Sequence, residues 1–196
     1  MTTKQTARRS IGATRNPDSE RAILEAAREL LAEKGISGFS IEAVARRARA
    51  GKPTIYRWWP DKTRLLLAVY TGIKRDLVDP DTGSLEGDIA GFLRNIIGFW
   101  RDTEAGKIFR SVLAESQNDE EAHAALVNYH LERRRQTAAM FARPYPGATP
   151  LTETAAEDLA ELVVAFALAQ LMLGSLDLDE AEYDRLAAHF ARAVGR

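Results

Sequence analysis

Cationic side chains are concentrated in a short stretch near the start of the chain: Arg46, Arg47, Arg49, Lys52, Arg57 and Lys62. Lysine and arginine at this density neutralise phosphate groups. The wider charge distribution agrees, because residues 1–70 carry 14 Lys and Arg against 7 Asp and Glu, whereas residues 71–196 carry 13 against 21. The net charge of −1 is therefore a cancellation. This separation of charge favours a basic region that binds a polyanion. The alternative is a chance asymmetry between two solvated halves.

A second candidate chemistry is metal binding at Glu120 and His123, which a helix places on one face, as in di-iron bundles. That chemistry needs a second such pair, and neither His130 nor His189 has an acidic residue three positions before it. The chain has no Cys, and it lacks phosphate-binding glycine loops and a G-x-S-x-G motif. We therefore expect no metal, no cofactor and no enzymatic activity. A helical-bundle metalloenzyme and an interaction module without a DNA role remain the alternatives.

Helical periodicity runs through nearly the whole chain, and no stretch alternates like a strand, so the sequence predicts an all-α fold. Gly35 is expected to end the first helix in the left-handed conformation, and Ser40 to cap the second. Asp61 is expected to cap a fourth helix that runs to about Val78. Further helices are predicted at about 85–101, 104–117, 119–142, 154–174 and 180–194.

The second and third predicted helices, 41–48 and 52–59, are separated only by Arg49-Ala50-Gly51, which is the outline of a helix-turn-helix. Ala45 and Ala48 are small enough to let the two helices cross closely. In such a unit the later helix must expose its N-terminal residues to base edges and phosphates.

Three stretches resemble the DNA-binding domain of the TetR family of bacterial regulators: Ile23–Gly35 (ILEAARELLAEKG), Phe39–Ala45 (FSIEAVA) and Lys52–Lys62 (KPTIYRWWPDK). The resemblance implies a helix-turn-helix DNA-binding domain over residues 16–62, preceded by a basic flexible arm over 1–15. It implies a ligand-binding and dimerisation domain over 63–196. The expected protein is a cytoplasmic transcriptional regulator, a repressor that a small hydrophobic ligand releases from a double-stranded DNA operator. The arm either enters a minor groove or serves as a solubilising tail.

The resemblance also implies roles for single residues. Those expected in the major groove are Lys52, Pro53 and Tyr56. Those expected on phosphates or bases are Thr54, Arg57 and Trp58, with simple exposure as the alternative for Trp58. Those expected on phosphates are Ser40, which also caps its helix, and Lys62. Those expected to face inward are Ile55 and Trp59.

Two positions depart from the family pattern. Arg49 stands where the family turn usually has Gly, and Gly51 stands where a polar cap is usual. A non-Gly residue in the left-handed region costs about 1 kcal/mol. Either the turn geometry differs here, or Arg49 accepts the strain and offers its guanidinium to a phosphate.

A small-molecule pocket is predicted from apolar residues at core spacing on several helices, with a few polar neighbours. The residues expected to line it are Phe92, Ile96, Trp100, Phe109, Leu113, Gln117, Tyr129, Phe166 and Gln170. Their mostly apolar character favours a hydrophobic or aromatic inducer. The run Arg133-Arg134-Arg135 is interpreted as a solvated face that pairs with Glu120, Glu121 or Glu132.

A homodimer is expected, because one short recognition helix reads too few base pairs for useful affinity. The helix at 154–174 is apolar on more than one face, and with the final helix it is the predicted interface; the alternative is a core helix of a monomer. The expected interface residues are Leu159, Leu162, Val163, Phe166, Leu171, Tyr183 and Phe190. No apolar run approaches the roughly 20 residues that span a bilayer, so no membrane association is predicted.

Overall fold

The computed structural model describes residues 16–74 and 77–194, and within these ranges every regular element is an α-helix. The helices are α1 Pro17–Lys34, α2 Ile41–Ala48, α3 Lys52–Trp58, α4 Lys62–Lys74, α5 Leu85–Asp102, α6 Ala105–Glu115, α7 Glu120–Phe141, α8 Glu153–Leu173 and α9 Glu180–Ala193. The all-α prediction is confirmed. The predicted arm over 1–15 lies outside the described residues.

One predicted helix end is wrong. α4 ends at Lys74 instead of about Val78, and the N–H of Leu77 bonds to the carbonyl of Lys74, three residues back, at 3.0 Å.

The predicted caps around the second and fourth helices are present. The Ser40 hydroxyl accepts the N–H of Ala43 at 3.1 Å, and the Asp61 carboxylate accepts the N–H of Arg64 at 2.7 Å. Gly35 ends α1 with φ 63° and ψ −170°, so its φ is positive as expected but its ψ lies outside the left-handed helical region. Its N–H still bonds to the carbonyl of Leu31. These caps satisfy backbone groups that helix ends leave without partners.

Helices α1 to α3 form the first packing unit, with α2 against both α1 and α3. Ile23 of α1, Val44 of α2 and Ile55 of α3 are all fully buried. α4 then contacts α1 on one side and α6 and α7 on the other. It is thus the helix that joins the first unit to the rest of the chain.

The second unit packs α7 against α8 and α5 against α9. Buried residues from Ile23 to Ala191 form one hydrophobic cluster, so both units share a core. A displacement of α4 would therefore alter the packing of both units. Among the described helices, none has the length and hydropathy to span a bilayer.

A buried carboxylate ties two loops to the first turn of α5. Asp88 is fully buried, and it accepts hydrogen bonds from the Thr82 N–H at 2.7 Å and the Tyr145 hydroxyl at 2.8 Å. Arg143 lies 3.4 Å from the same carboxylate. Burial, reinforced by Asp88, raises the pKa of Tyr145 well above its usual value, so its hydroxyl stays a donor. This cluster anchors α5 beside the loop that follows α7.

Candidate nucleic-acid interface and ligand cavity

One side of α3 packs into the hydrophobic core, and the other side is exposed to solvent. Ile55 is fully buried and Trp59, directly after the helix, is 4% exposed, so both face inward as predicted. The outward side carries the side chains predicted to contact DNA: exposed Lys52, Pro53, Tyr56 and Arg57, and half-buried Thr54 and Trp58. Pro53 lies in the first turn, where its missing N–H costs no helical hydrogen bond.

The turn between α2 and α3 keeps the left-handed geometry at Arg49, whereas the phosphate contact of Arg49 stays a prediction. Arg49 has φ 51° and ψ 35°, the left-handed conformation, and within the described residues no other non-glycine has a positive φ. The N–H of Ala50 bonds to the carbonyl of Ala45 at 3.0 Å, which closes the end of α2. The turn geometry is therefore kept, and Arg49 occupies it with an exposed side chain. Gly51 begins α3 without a side-chain cap.

Several cations near this helix already have carboxylate partners. Arg47 lies 2.6 Å from Glu33 and 3.5 Å from Glu29, which clamps α2 to α1. Lys52 lies 2.9 Å from Glu42, and this hydrogen bond lowers the pKa of that carboxyl. Arg47 therefore has a structural role.

Lys62 is also paired, across the boundary between the two units. Its Nζ lies 2.7 Å from Oε1 of Glu115, at the end of α6. The predicted phosphate contact therefore requires that Lys62 leave this partner first.

On α2, α3 and the turn between them, three exposed guanidinium groups form no ion pair with any described residue: Arg46, Arg49 and Arg57. The guanidinium of Arg57 lies over the Trp58 ring, 5.8 Å from its centroid. The outer surface of α2 and α3 thus carries positive charge that none of the described residues neutralises, which is what binding to a phosphate backbone requires.

A cavity of about 200 Å³ lies among α4, α5, α6, α7 and α8. It brings together most of the residues predicted to bind a ligand: Phe92, Ile96, Trp100, Phe109, Leu113 and Tyr129.

Three of the predicted pocket residues, Gln117, Phe166 and Gln170, lie outside the lining of this cavity. Gln117 is exposed beyond the end of α6. Phe166 instead packs on Phe190 of α9, with ring centroids 5.8 Å apart. Gln170 is half-buried, and its backbone carbonyl accepts the N–H of Ser175. On α8, Val164 and Ala167 face the cavity. Because successive helical residues point in different directions, Phe166 and Gln170 then lie on other sides of α8.

Tyr70 of α4 was missed by the sequence reasoning, although it is central to the cavity. Its hydroxyl accepts the Trp100 indole N–H at 2.9 Å, and its ring stacks on Phe109 at 4.6 Å. Burial raises the pKa of Tyr70 well above its usual value and that of Tyr129 to about 12. Both hydroxyls are therefore protonated at neutral pH. Lys74 also lines the cavity and was also missed. Its i,i+4 spacing from Tyr70, which places both side chains on one face of α4, could have indicated this.

The interpretation of Arg133-Arg134-Arg135 as one solvated face was wrong. Arg135 is exposed and lies 3.5 Å from Glu132, as expected. Arg134 instead pairs with Glu157 of α8 at 3.0 Å. Arg133 lines the cavity, because it lies one turn after Tyr129 on the same side of α7.

The predicted dimer residues divide into two groups. Leu159, Val163, Leu171 and Tyr183 are at most 3% exposed within a single chain, so they belong to its own core and their assignment to an interface was wrong. Leu162 is 46% exposed, and Phe166 and Phe190 are half-buried. Met172 and Leu173, at 61% and 77% exposed, extend this apolar surface along α8.

Among the described residues, no group of three or more His, Cys, Asp or Glu side chains is arranged to hold a metal ion. Glu120 and His123 both lie exposed on α7.

Together, the packing of α1 to α3 and the helical second unit with its cavity define a regulator-type helix-turn-helix protein. The chain belongs to the TetR family. Residues 23–69 match the family described as bacterial regulatory proteins, tetR family, and residues 79–190 match the tetracyclin repressor-like C-terminal domain.

Individual relatives agree with this assignment. The HTH-type transcriptional regulator YdeS of Bacillus subtilis is 32% identical over 132 residues, which is 66% of either chain. The DNA-binding transcriptional repressor TetR of Mycobacteroides abscessus is 37% identical over 70 residues, covering 35% of this chain and 37% of that protein. A TetR-family regulator from Mesorhizobium loti has a similar fold, with a TM-score of 0.60 at 24% identity over 93% of this chain and 97% of that one.

Proposed function

We propose that this protein is a homodimeric repressor of transcription that binds a DNA operator through α3 and leaves it when a small molecule occupies the cavity. The observation that carries the proposal is the outer face of α2 and α3, where Arg46, Arg49 and Arg57 lie exposed and unneutralised beside an anchored helix. The repressor role is supported by the Mycobacteroides relative that bears that name. Its place of action is the cytoplasm, where bacterial DNA is found, and the proposed role involves no catalysis.

In the proposed complex, the N-terminal part of α3 enters the major groove. Lys52, Pro53 and Tyr56 face base edges, which is supported by their exposure at the start of the helix. The residues on the phosphate backbone are Ser40, Arg49 and Lys62, and Thr54, Arg57 and Trp58 contact phosphates or bases.

The dimer forms through the outer side of α8 with support from α9. Leu162, Phe166 and Leu173 share one side of α8, since they are spaced at near-multiples of a helical turn, and Phe190 lies against Phe166. An apolar strip of this kind is costly to leave in water. Two-fold pairing would present two recognition helices to successive major grooves, about 34 Å apart.

Coupling between the cavity and DNA runs through α4 and α6. Tyr70 of α4 lines the cavity, and α4 also contacts α1. Leu113 of α6 lines the cavity, and Glu115, two residues later, holds Lys62. A ligand weakens operator binding only if it prefers the conformation that does not fit DNA.

The direct test is DNA binding by fluorescence anisotropy, using fragments from the region beside the protein's own gene at a stated salt concentration. Arg57→Ala and Lys52→Ala should each weaken binding by about 1–3 kcal/mol, or roughly 5- to 150-fold. Arg135→Ala is the matched control, because Arg135 is 70% exposed on the distant α7. Unchanged affinity in both α3 variants, with circular dichroism showing them folded, would refute the placement of the recognition helix.

A further inference from the structure

A second cavity, of about 240 Å³, adjoins the one already described. The two share five lining residues: Lys74, Phe92, Ile96, Tyr129 and Arg133. One side is largely aromatic and aliphatic, including Trp100 and Phe109. The other is more polar and reaches Asn95 and Asp79. The junction between an apolar and a polar compartment is thus lined by two cationic side chains.

Arg133 has unused hydrogen-bonding capacity at this junction. Its Nε is buried and has no hydrogen-bond partner within the described residues. Its terminal NH1 group donates to Gln136 on the next turn of α7. A buried guanidinium N–H without an acceptor is costly, so an acceptor that arrives with a ligand is favoured.

Lys74 is the second cation, at the end of α4. It forms no ion pair with any carboxylate of the described residues. Burial is the main cause that lowers the pKa of its ammonium to about 7, and the charge of Arg133 lowers it further. Asp79 opposes this shift through its charge without forming an ion pair. At neutral pH the junction therefore carries the full charge of Arg133 and a partly protonated Lys74, and no carboxylate of the described residues forms an ion pair with either of them.

We propose that the ligand is an amphipathic anion, an aryl carboxylate whose ring system fills the apolar cavity and whose carboxylate binds Arg133 and Lys74. This inference deepens the proposed function, since it names the chemical class of the molecule that the cavity accepts. The Arg133 fork matches a carboxylate in geometry, and Lys74 supplies a second charge. The protonated Tyr129 hydroxyl lines the same junction as a further donor.

The surroundings favour a single negative charge over a highly charged ligand. Asp79 lines the polar side and would repel additional negative charge. The apolar side offers aromatic faces, with Trp100 and Phe109 rings nearly parallel at 6.1 Å. A flat aromatic body attached to one carboxylate meets both demands.

The test compares 1-naphthaleneacetate with 1-naphthaleneacetamide, which have nearly the same shape and differ in charge. Binding to the full chain is measured by calorimetry and by quenching of tryptophan fluorescence, with no DNA present. The acid should bind about tenfold more tightly than the amide, or more, because charge-assisted hydrogen bonds replace neutral ones. In Lys74→Met and in Arg133→Met the preference should fall several-fold, while the affinity for the amide stays within about twofold.

Arg135→Met is the matched control, because it removes an exposed cation from the same helix as Arg133. It should leave the preference for the acid unchanged. Equal affinity of the two probes for the unaltered protein overturns the proposal, and this comparison does not depend on any variant folding. A preference that persists in both cavity variants also overturns it, as does the absence of binding by either probe at about 1 mM. The role of Arg57 in operator binding is measured in a separate experiment. Failure of the ligand proposal can therefore be distinguished from failure of the proposed DNA-binding function.

Discussion

The ion pair between Lys62 and Glu115 makes a specific prediction about operator affinity. In the structure Lys62 Nζ is 2.7 Å from the Glu115 carboxylate, and the two side chains are 33% and 43% exposed. If Lys62 binds a phosphate in the operator complex, this pair must break, and the Glu115 charge is left near the DNA. Replacement Glu115→Gln removes both costs, so the variant should bind the operator more tightly.

The magnitude follows from the exposure of the pair. Partly solvated ion pairs contribute about 0.5–1 kcal/mol, so Glu115→Gln should strengthen operator binding about 2- to 5-fold in each protomer. Lys62→Gln should weaken binding, and the slope of log affinity against log salt should become shallower by about 0.9 for each phosphate that is no longer neutralised.

Anisotropy titrations at several salt concentrations on the single and double variants provide the assay. In the Lys62→Gln background, Glu115→Gln should give a clearly smaller gain, because the ion pair is already absent and only the repulsion between the Glu115 charge and the DNA is removed. An equal gain with and without Lys62 would mean that Glu115 acts only as a general negative charge. Weaker operator binding by Glu115→Gln would show that the ion pair supports the DNA-binding conformation, and the predicted phosphate contact of Lys62 would then be wrong.

Three further predictions concern stability and assembly. Arg49→Gly should raise the free energy of unfolding by up to about 1 kcal/mol in urea titrations, by relieving the positive φ, yet weaken operator binding; lower stability would contradict the strain argument. Asp88→Ala should lower the free energy of unfolding by about 2–4 kcal/mol, because it leaves Tyr145 without its acceptor, and a decrease below about 1 kcal/mol would count against that role. Leu162→Glu should convert the dimer to a monomer in sedimentation velocity, whereas Val78→Glu, at a site 79% exposed and away from α8, should leave it dimeric. The reverse result would place the interface elsewhere.

Local signals predicted the first unit of the fold well. The helix ends around α2 and α3 depend on side chains only a few residues away, such as Ser40 and Asp61. The inward direction of Ile55 and Trp59 follows from their spacing on one short helix. The contacts of the outward residues with DNA stay predictions, because they depend on a partner molecule.

The second unit was less predictable from the sequence, because its helices are apolar on more than one side. In α8 the pattern does not distinguish the core positions Leu159 and Val163 from the exposed Leu162. Only packing against α5, α7 and α9 decides which side is buried. The run of three arginines shows the same limit, since Arg133 and Arg135 have equal charge and opposite surroundings.

The helical class, the basic helix-turn-helix and the separation of charge along the chain follow from the amino-acid sequence, because these features depend on local periodicity, capping and composition. The tertiary structure alone decided that Tyr70, Lys74 and Arg133 meet in one cavity and that Lys62 is held by Glu115, 53 positions away. Such contacts join residues that are far apart in the sequence. They form only when the rotation and crossing of whole helices are set by the shared core.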